Sequence, residues 1–399
     1  MTLAVTAVGT PWSVVDECRQ ARPETIATVG FETVPSGPSS TSEPDPVEAP
    51  EPRRTATVVL SGDLLWHDTV WQSAARDHAR TGQGRAFDFD PMFAALRPMI
   101  EAADLAVCHE EVPFAAPGAA YQSYPVFAAP PEIAGWIGSM GWDLCTTSSN
   151  HAVDQGYDGL VRTADLLERA GVGHVGTFRT AAERRKPVIH TTDDGVRIAV
   201  VGGTYSLNGF PRPAGREWSV SMWDARNLIS QARAARRAGA DIVIVKYHGG
   251  SEYVAMPNPQ QVALVRALAA SPYVDLVAGE HAHVVQPITK VNGKWVVYGM
   301  GNAIAQNETE RRRTYEGISV GFTFRETRRG FVVDHAEYVP TYWNHYSSSG
   351  RPIRIQRVVR ALARGIARNG HSQARLREAL LATRDAVDLL GHAKGLEER

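Results

Sequence analysis

Cysteine is scarce in this sequence. Its 399 residues hold three, Cys18, Cys108 and Cys145, widely separated and without a CxxC pair. That argues against a zinc site built from thiolates, and the number neither demands nor excludes an oxidising compartment. No apolar run reaches the roughly 18 residues of a membrane span. The N-terminus lacks a basic n-region and carries Asp16 and Glu17 too early for a signal peptide. The expectation is a cytoplasmic protein, or one of the cell envelope or exterior whose export signal lies upstream of this start. Charge of one sign is also missing: 42 Lys and Arg face 43 Asp and Glu, a net charge of −1. Nothing global attracts nucleic acid, so a charge-driven partner must meet a local patch. The absence of GxxxxGK[ST] excludes a P-loop nucleotide cradle. No internal repeat is visible.

What is present is a large apolar inventory, 43% of residues, ample for one large core or two modest ones. Residues 35–54 read PSGPSSTSEPDPVEAPEPRR, with almost nothing to bury, and residues 1–54 are expected to be a disordered or linker segment. From Thr55 the pattern changes. ATVVLSGD, DLAVCHEE, DLCTTSSNH, RIAVVGGT, DIVIVKYHGG, VDLVAGEHAH and WVVYGMGN read as buried strands ending in polar or Gly-rich clusters. Phe93–Ala103, Leu160–Ala170 and Ala225–Ala238 read as helices between them. Such alternation predicts an α/β core with many parallel strands over residues 55–345. Residues 346–399 are expected to form a C-terminal extension of two or three amphipathic helices. Within it, RVVRALARGIAR (357–368) reads first as a helix with a solvated Arg face, and second as a dock for an anionic polymer or lipid surface.

The polar clusters fall at strand ends. Asp63 follows TVVLSG, Glu110 and Glu111 follow DLAVCH, Asn150 and His151 follow DLCTTSS, His248 follows DIVIVKY, and His281 and His283 follow VDLVAGE. Each has a plain structural reading. A Gly-Asp after a strand is often only a turn, His248 a satisfied histidine, Asn150 a helix cap, and the HAH pair the surface of a turn. Their coincidence is the signal. Ligands of open α/β sheets sit outside the carboxyl ends of strands, and five strand ends bring carboxylates, an amide and imidazoles to one rim. That donor set suits Mn, Fe or Zn, and is large enough for two ions.

The motifs resemble those of the bacterial poly-γ-glutamate capsule synthesis (CapA-type) family, within the calcineurin-like metallophosphoesterases, from about Thr55 to Tyr342. Strand then Gly-Asp stands as Ser61-Gly62-Asp63. Asn-Leu-Glu-x-Pro stands as His109-Glu110-Glu111-Val112-Pro113. Asn-Asn-His-x-x-Asp-x-Gly stands as Ser149-Asn150-His151-Ala152-Val153-Asp154-Gln155-Gly156. His-Trp-Gly-x-Glu-Tyr stands as His248-Gly249-Gly250-Ser251-Glu252-Tyr253. Gly-His-His-Pro-His stands as Gly279-Glu280-His281-Ala282-His283, and Tyr-Ser-Leu-Gly-Asn-Phe as Tyr298 to Ala303. The departures are His109, Glu110, Ser149, Gly249, Glu280, Ala282 and Ala303. Gly249, where the pattern has tryptophan, is expected to widen the pocket.

The resemblance implies a layered α/β sandwich of the metallo-dependent phosphatase type with an added C-terminal helical tail. It implies two divalent ions held by Asp63, Glu111, Asn150, His248, His281 and His283, which activate water for attack on phosphorus. It gives His151 general-acid or charge-stabilising work, with Asp154 orienting it or capping a helix. Glu252 and Asn302 are candidates for substrate binding, against plain readings as a loop carboxylate and a turn residue. His67 and His109 lie near enough in sequence to Asp63 and Glu111 to touch metal or substrate. Three functions follow: a metal-dependent hydrolase, an accessory component of capsule synthesis or export, and a metal-stabilised binding domain without catalysis. The expected partners are a small-molecule or anionic polymer substrate and capsule-synthesis membrane proteins, not nucleic acid. Without a P-loop, the chain alone is not expected to be an ATP-driven polyglutamate ligase.

Overall fold

A computed structural model describes residues 53–347, 351–366 and 371–399. Residues 35–52 of the Pro-rich stretch lie outside the described residues, as does Cys18. The first of two sheets begins with parallel strands β1 (Thr55–Leu64), β2 (Leu105–Glu110), β3 (Leu144–Thr146) and β4 (Gly173–Val175), side by side in that order. The second holds β5 (Ile189–Thr191), β6 (Arg197–Thr204), β7 (Ile242–His248), β8 (Leu276–Glu280), β9 (Ile288–Val291) and β10 (Lys294–Val297), in the order β5-β6-β7-β8-β10-β9. Strands β6, β7, β8 and β10 run parallel, and β5 and β9 close the edges antiparallel. The chain then returns to the first sheet with β11 (Asn302–Ile304), β12 (Glu316–Thr327), β13 (Gly330–Trp343), β14 (Ile355–Arg357) and β15 (Leu396–Glu398). All seven sequence-predicted strand runs form strands.

The parity of the strands builds the layers, because successive side chains point to opposite faces. Val58, Leu60, Leu105 and Val107 of the first sheet share one core with Ile198, Val200, Ile242, Ile244, Leu276 and Ala278 of the second. The sheets therefore pack face to face. The opposite parity of the first sheet, including Ala106, Cys108 and Cys145, packs under helix Asp68–Thr81 and its neighbours with Trp66, Phe89, Phe93 and Trp136. Val243, Val245 and Tyr247 pack under helices Ala225–Arg237 and Pro259–Ala270. The result is the expected layered α/β sandwich, helices outside and two sheets within. Cys108 and Cys145, far apart in sequence, stand in register on β2 and β3 and are joined as a disulfide.

Two expectations are corrected. Phe93–Ala103 is not one helix. Helical turns Asp90–Phe93 and Arg97–Ile100 are separate, and Pro98 opens the second, a position where its missing N–H costs nothing. The tail is not purely helical either. Beside helices Val358–Ala363 and Gln373–Val387 it supplies β14 and β15, both paired to β13. Leu376, Ala379 and Val387 are buried in the main cores, so the tail completes the sheet's cover.

Candidate metal centre

The parallel strands of both sheets finish at one rim. Asp63 stands opposite His109 in the β1–β2 ladder and opposite Asn302 in the β1–β11 ladder. His248, the last residue of β7, stands opposite Glu280, the last of β8. Inward parity, which carries Ile242 and Ile244 into the inter-sheet core, brings Lys246 and His248 to the same space. A polar cluster thus caps an apolar core.

Six residues from five strand ends converge there. His283 Nδ1 lies 3.1 Å from Asp63 Oδ2, and the His281 backbone N–H donates to the same oxygen at 3.2 Å. His248 Nε2 is 2.7 Å from Asn150 Oδ1, 3.2 Å from His281 Nδ1 and 3.7 Å from Glu111 Oε1. His283 Nε2 is 3.8 Å from Glu111 Oε1. All six are buried. His281 and His283 hold φ of 89° and 54°, and Tyr253 holds 64°. Bulky residues adopt this left-handed backbone rarely and mostly where function needs it.

Burial sets the charge states. It holds His248 well below the usual imidazole range and takes His281 down to about 3, so both present neutral nitrogens. Burial also pushes Glu111 well above the carboxylate range. On His283 burial opposes charge, but Glu111 and Asp63 outweigh it and push the imidazole up to about 10. Burial works against Asp63 too, yet the bond and charge of His283 hold it below its ordinary value.

The fit of a cation is tested by the donors that protein groups leave over. Both oxygens of Glu111, Nδ1 of His248 and Nε2 of His109 are buried without a hydrogen-bond partner. Native interiors rarely leave such atoms unpaired unless an ion or water takes them. Asp63, Glu111 and His283 place ligand atoms within 4.8 Å of one another, as do Glu111, His248 and His281, and as do Glu252, His281 and His283. Buried carboxylates beside neutral imidazoles are the donor set of a divalent metal.

The cluster opens onto a cavity of about 670 Å³ lined by Asn150, His151, Asn208, Glu252, Tyr253, His283 and Arg311, among others. His151 Nδ1 is 2.7 Å from Asp154 Oδ2, which also accepts the Phe127 N–H at 2.8 Å. Asp154 makes no helix cap: Gln155 holds that place, with no side-chain bond. Nor is Asn150 a cap, since its oxygen faces His248 and its amide donates to Asn208. Glu252 is half-exposed at the cavity wall, 3.9 Å from His281 Nε2. Asn302 is fully buried and absent from the cavity lining. It meets His283 Nδ1 at 2.8 Å and donates to Thr314 O at 2.9 Å, which places it behind His283 and off the cavity wall where the sequence reading expected a substrate contact. His67 lines the cavity outside the clusters, its Nδ1 accepting the Gln306 N–H. Glu110 points away from the cluster and accepts the Trp66 indole N–H at 2.9 Å.

The pocket is not widened at Gly249. A Cβ there would lie 2.6 Å from Trp223 Cζ3 and 3.0 Å from Tyr205 Cβ. Those two rings occupy the space, and Tyr205 packs 4.6 Å from the His281 ring. Sequence reasoning also missed Lys246 and Asn208. Lys246 had a legible signal, a lysine two residues before a candidate ligand in an otherwise apolar strand. Asn208, in a loop with no pattern, had none.

PGA biosynthesis protein CapA of Bacillus subtilis is 30% identical over 175 residues, 44% of this chain and 45% of that protein. Capsule biosynthesis protein CapA of Bacillus anthracis is 28% identical over 171 residues, 42% of this chain and 41% of that protein. The chain thus spans less than half the length of either. The structure also aligns with a calcineurin-like phosphoesterase of Bacillus subtilis, at 13% identity over 84% of this chain and 98% of that one, with a TM-score of 0.43. Residues 57–307, more than half of the chain, match the family described as bacterial capsule synthesis protein PGA_cap, and the chain belongs to that family.

Proposed function

We propose that this protein is a metal-dependent hydrolase of the phosphoesterase kind that acts in the synthesis of a capsule polymer of the poly-γ-glutamate type. The observation that supports the reading is the set of buried, partnerless atoms of Glu111 and His248, packed against Asn150 and His283, which line an open cavity. In this reading Asp63, Glu111, Asn150, His248, His281 and His283 hold two divalent ions of manganese, iron or zinc. When bound, such ions supply Lewis acidity and lower the pKa of water toward neutrality. The chain's own residues do the rest. Asp154 holds His151 by Nδ1, which leaves Nε2 to exchange a proton with a leaving group. Asn208, within 3.4 Å of that nitrogen, positions the ring. Glu252 and Arg311, the latter stacked 4.0 Å over Tyr253, supply one charge of each sign for orienting a small or polymeric anion.

The test is a panel of phosphomonoesters and phosphodiesters with metal-loaded protein, with and without chelator. Chelator-sensitive hydrolysis supports the reading. Metal-replete protein inert on the whole panel would favour a second one, an accessory component that binds the polymer or the membrane proteins of capsule synthesis with little turnover. The names of the Bacillus relatives, which state a process and no reaction, are compatible with that alternative.

A further inference from the structure

The deep end of the cluster holds a histidine outside the six. His109, the fifth residue of β2, faces the inter-sheet space and is wholly buried. Its Nδ1 is bound on three sides, by Thr146 Oγ1 at 2.8 Å, Thr146 O at 3.1 Å and Glu280 Oε2 at 3.1 Å. Its Nε2 has no hydrogen-bond partner. That nitrogen lies 3.9 Å from Asp63 Oδ1, and its ring sits 4.8 Å from the His248 ring. Asp63, His109 and His248 form a fourth group whose ligand atoms fall within 4.8 Å of one another.

A core histidine with a purely structural task has both nitrogens satisfied. Here one side is over-supplied with acceptors and the other is bare. A histidine ligand has that asymmetry: it donates one ring N–H to a carboxylate or carbonyl and offers the opposite nitrogen to the metal. The support is itself built. Glu280 Oε1 pairs with the buried ammonium of Lys246, which also reaches Ser61 O at 3.5 Å and Cys108 O at 3.4 Å. Lys246 balances the charge that Glu280 brings into the interior, where an unpaired carboxylate would not be tolerated. His109 and Glu280 are also two of the chain's departures from its family's motif pattern, and in the fold they touch.

We propose that His109 is a further metal ligand through Nε2, oriented by Glu280, which Lys246 clamps from the other side. The proposal rests on the metal-centre reading above. His109 closes the inner end of the site, while His283 and Glu252 stand at its cavity end.

The experiment uses the full chain, stripped by chelator and reloaded with Co²⁺, with metal content by elemental analysis, affinity by titration and the visible Co²⁺ spectrum as readouts. His109→Asn is expected to lower the affinity for one ion by about 100-fold or more and to change the spectrum. Glu280→Gln is expected to weaken the same ion by about 10–100-fold with His109 in place. Because that change strands Lys246, the double variant Lys246→Met, Glu280→Gln serves as the balanced form, and His109→Gln stands in if His109→Asn does not fold. Unchanged Co²⁺ content, affinity and spectrum in a folded His109 variant would overturn the proposal, even with a lower melting temperature, because that pattern marks a packing role. Failure of the parent protein to bind Co²⁺ would instead overturn the metal-centre reading itself.

Discussion

His151 and Asp154 meet at 2.7 Å between Nδ1 and Oδ2, on the loop that leaves β3 beside the candidate ligand Asn150. The two neighbours thereby take separate work. Asn150 turns its carbonyl oxygen into the cluster, and its amide is no acid at neutral pH. His151 keeps an imidazole on the cavity wall with one nitrogen tied down. His151→Ala is expected to retain its metal and lose about 10²–10⁴ in turnover, the usual cost of removing a general acid. Asp154→Asn is expected to fall between that variant and the parent. Steady-state rates beside metal analysis check both, and equal metal loss in His151→Ala and His248→Ala would instead make His151 a ligand.

Metal uptake is expected to release protons. Burial holds Glu111 above its ordinary range, and on His283 the charges of Glu111 and Asp63 outweigh burial and hold the imidazole at about 10. A proton on either group must leave before the atom can bind a cation. The sign follows: affinity rises with pH below the raised pKa values, by up to about tenfold per unit for each proton displaced. Calorimetric titration in two buffers of different ionisation enthalpy measures the count. A pH-independent affinity between pH 6 and 8 would contradict it.

Gly249 is expected to tolerate no side chain. The built Cβ falls 2.6 Å from Trp223, and overpacking of a filled site typically costs about 1–3 kcal/mol. Gly249→Ala should lower the urea midpoint accordingly. Trp223→Ala with Gly249→Trp, which moves the ring to the place the family pattern gives it, should recover part of the loss. A Gly249→Ala protein as stable as the parent would show that the rings yield freely.

The strand ends were legible in the sequence because each buried strand is a clean apolar run and its last residues break the run with a polar group. From there, one rule about the carboxyl ends of parallel strands brings Asp63, Glu110, Glu111, Asn150, His151, His248, His281 and His283 to one rim, and the family resemblance selects the six ligands, with Glu111 over Glu110, from among them. Assignment of the strands to two facing sheets was not legible. Inward parity of Val58 or Ile244 says which residues are buried, but not against which sheet. The filling of the Gly249 gap by Trp223, 26 positions earlier, is a contact across the sheet rim that no local pattern encodes. The same holds for Glu280 on His109, where each residue alone reads only as an odd substitution. The helix expected at Phe93–Ala103 failed for a local reason that was visible, Pro98 in its middle.

The most direct test of the account is the binding of Mn²⁺ to the chelator-stripped protein, measured side by side for the parent and His248→Ala. His248 touches Asn150, His281 and Glu111 within 3.7 Å. The account predicts saturable binding in the parent and its loss in His248→Ala, with the fold of the variant intact by circular dichroism. Binding of equal stoichiometry and affinity in both proteins, or none in the parent, would contradict it.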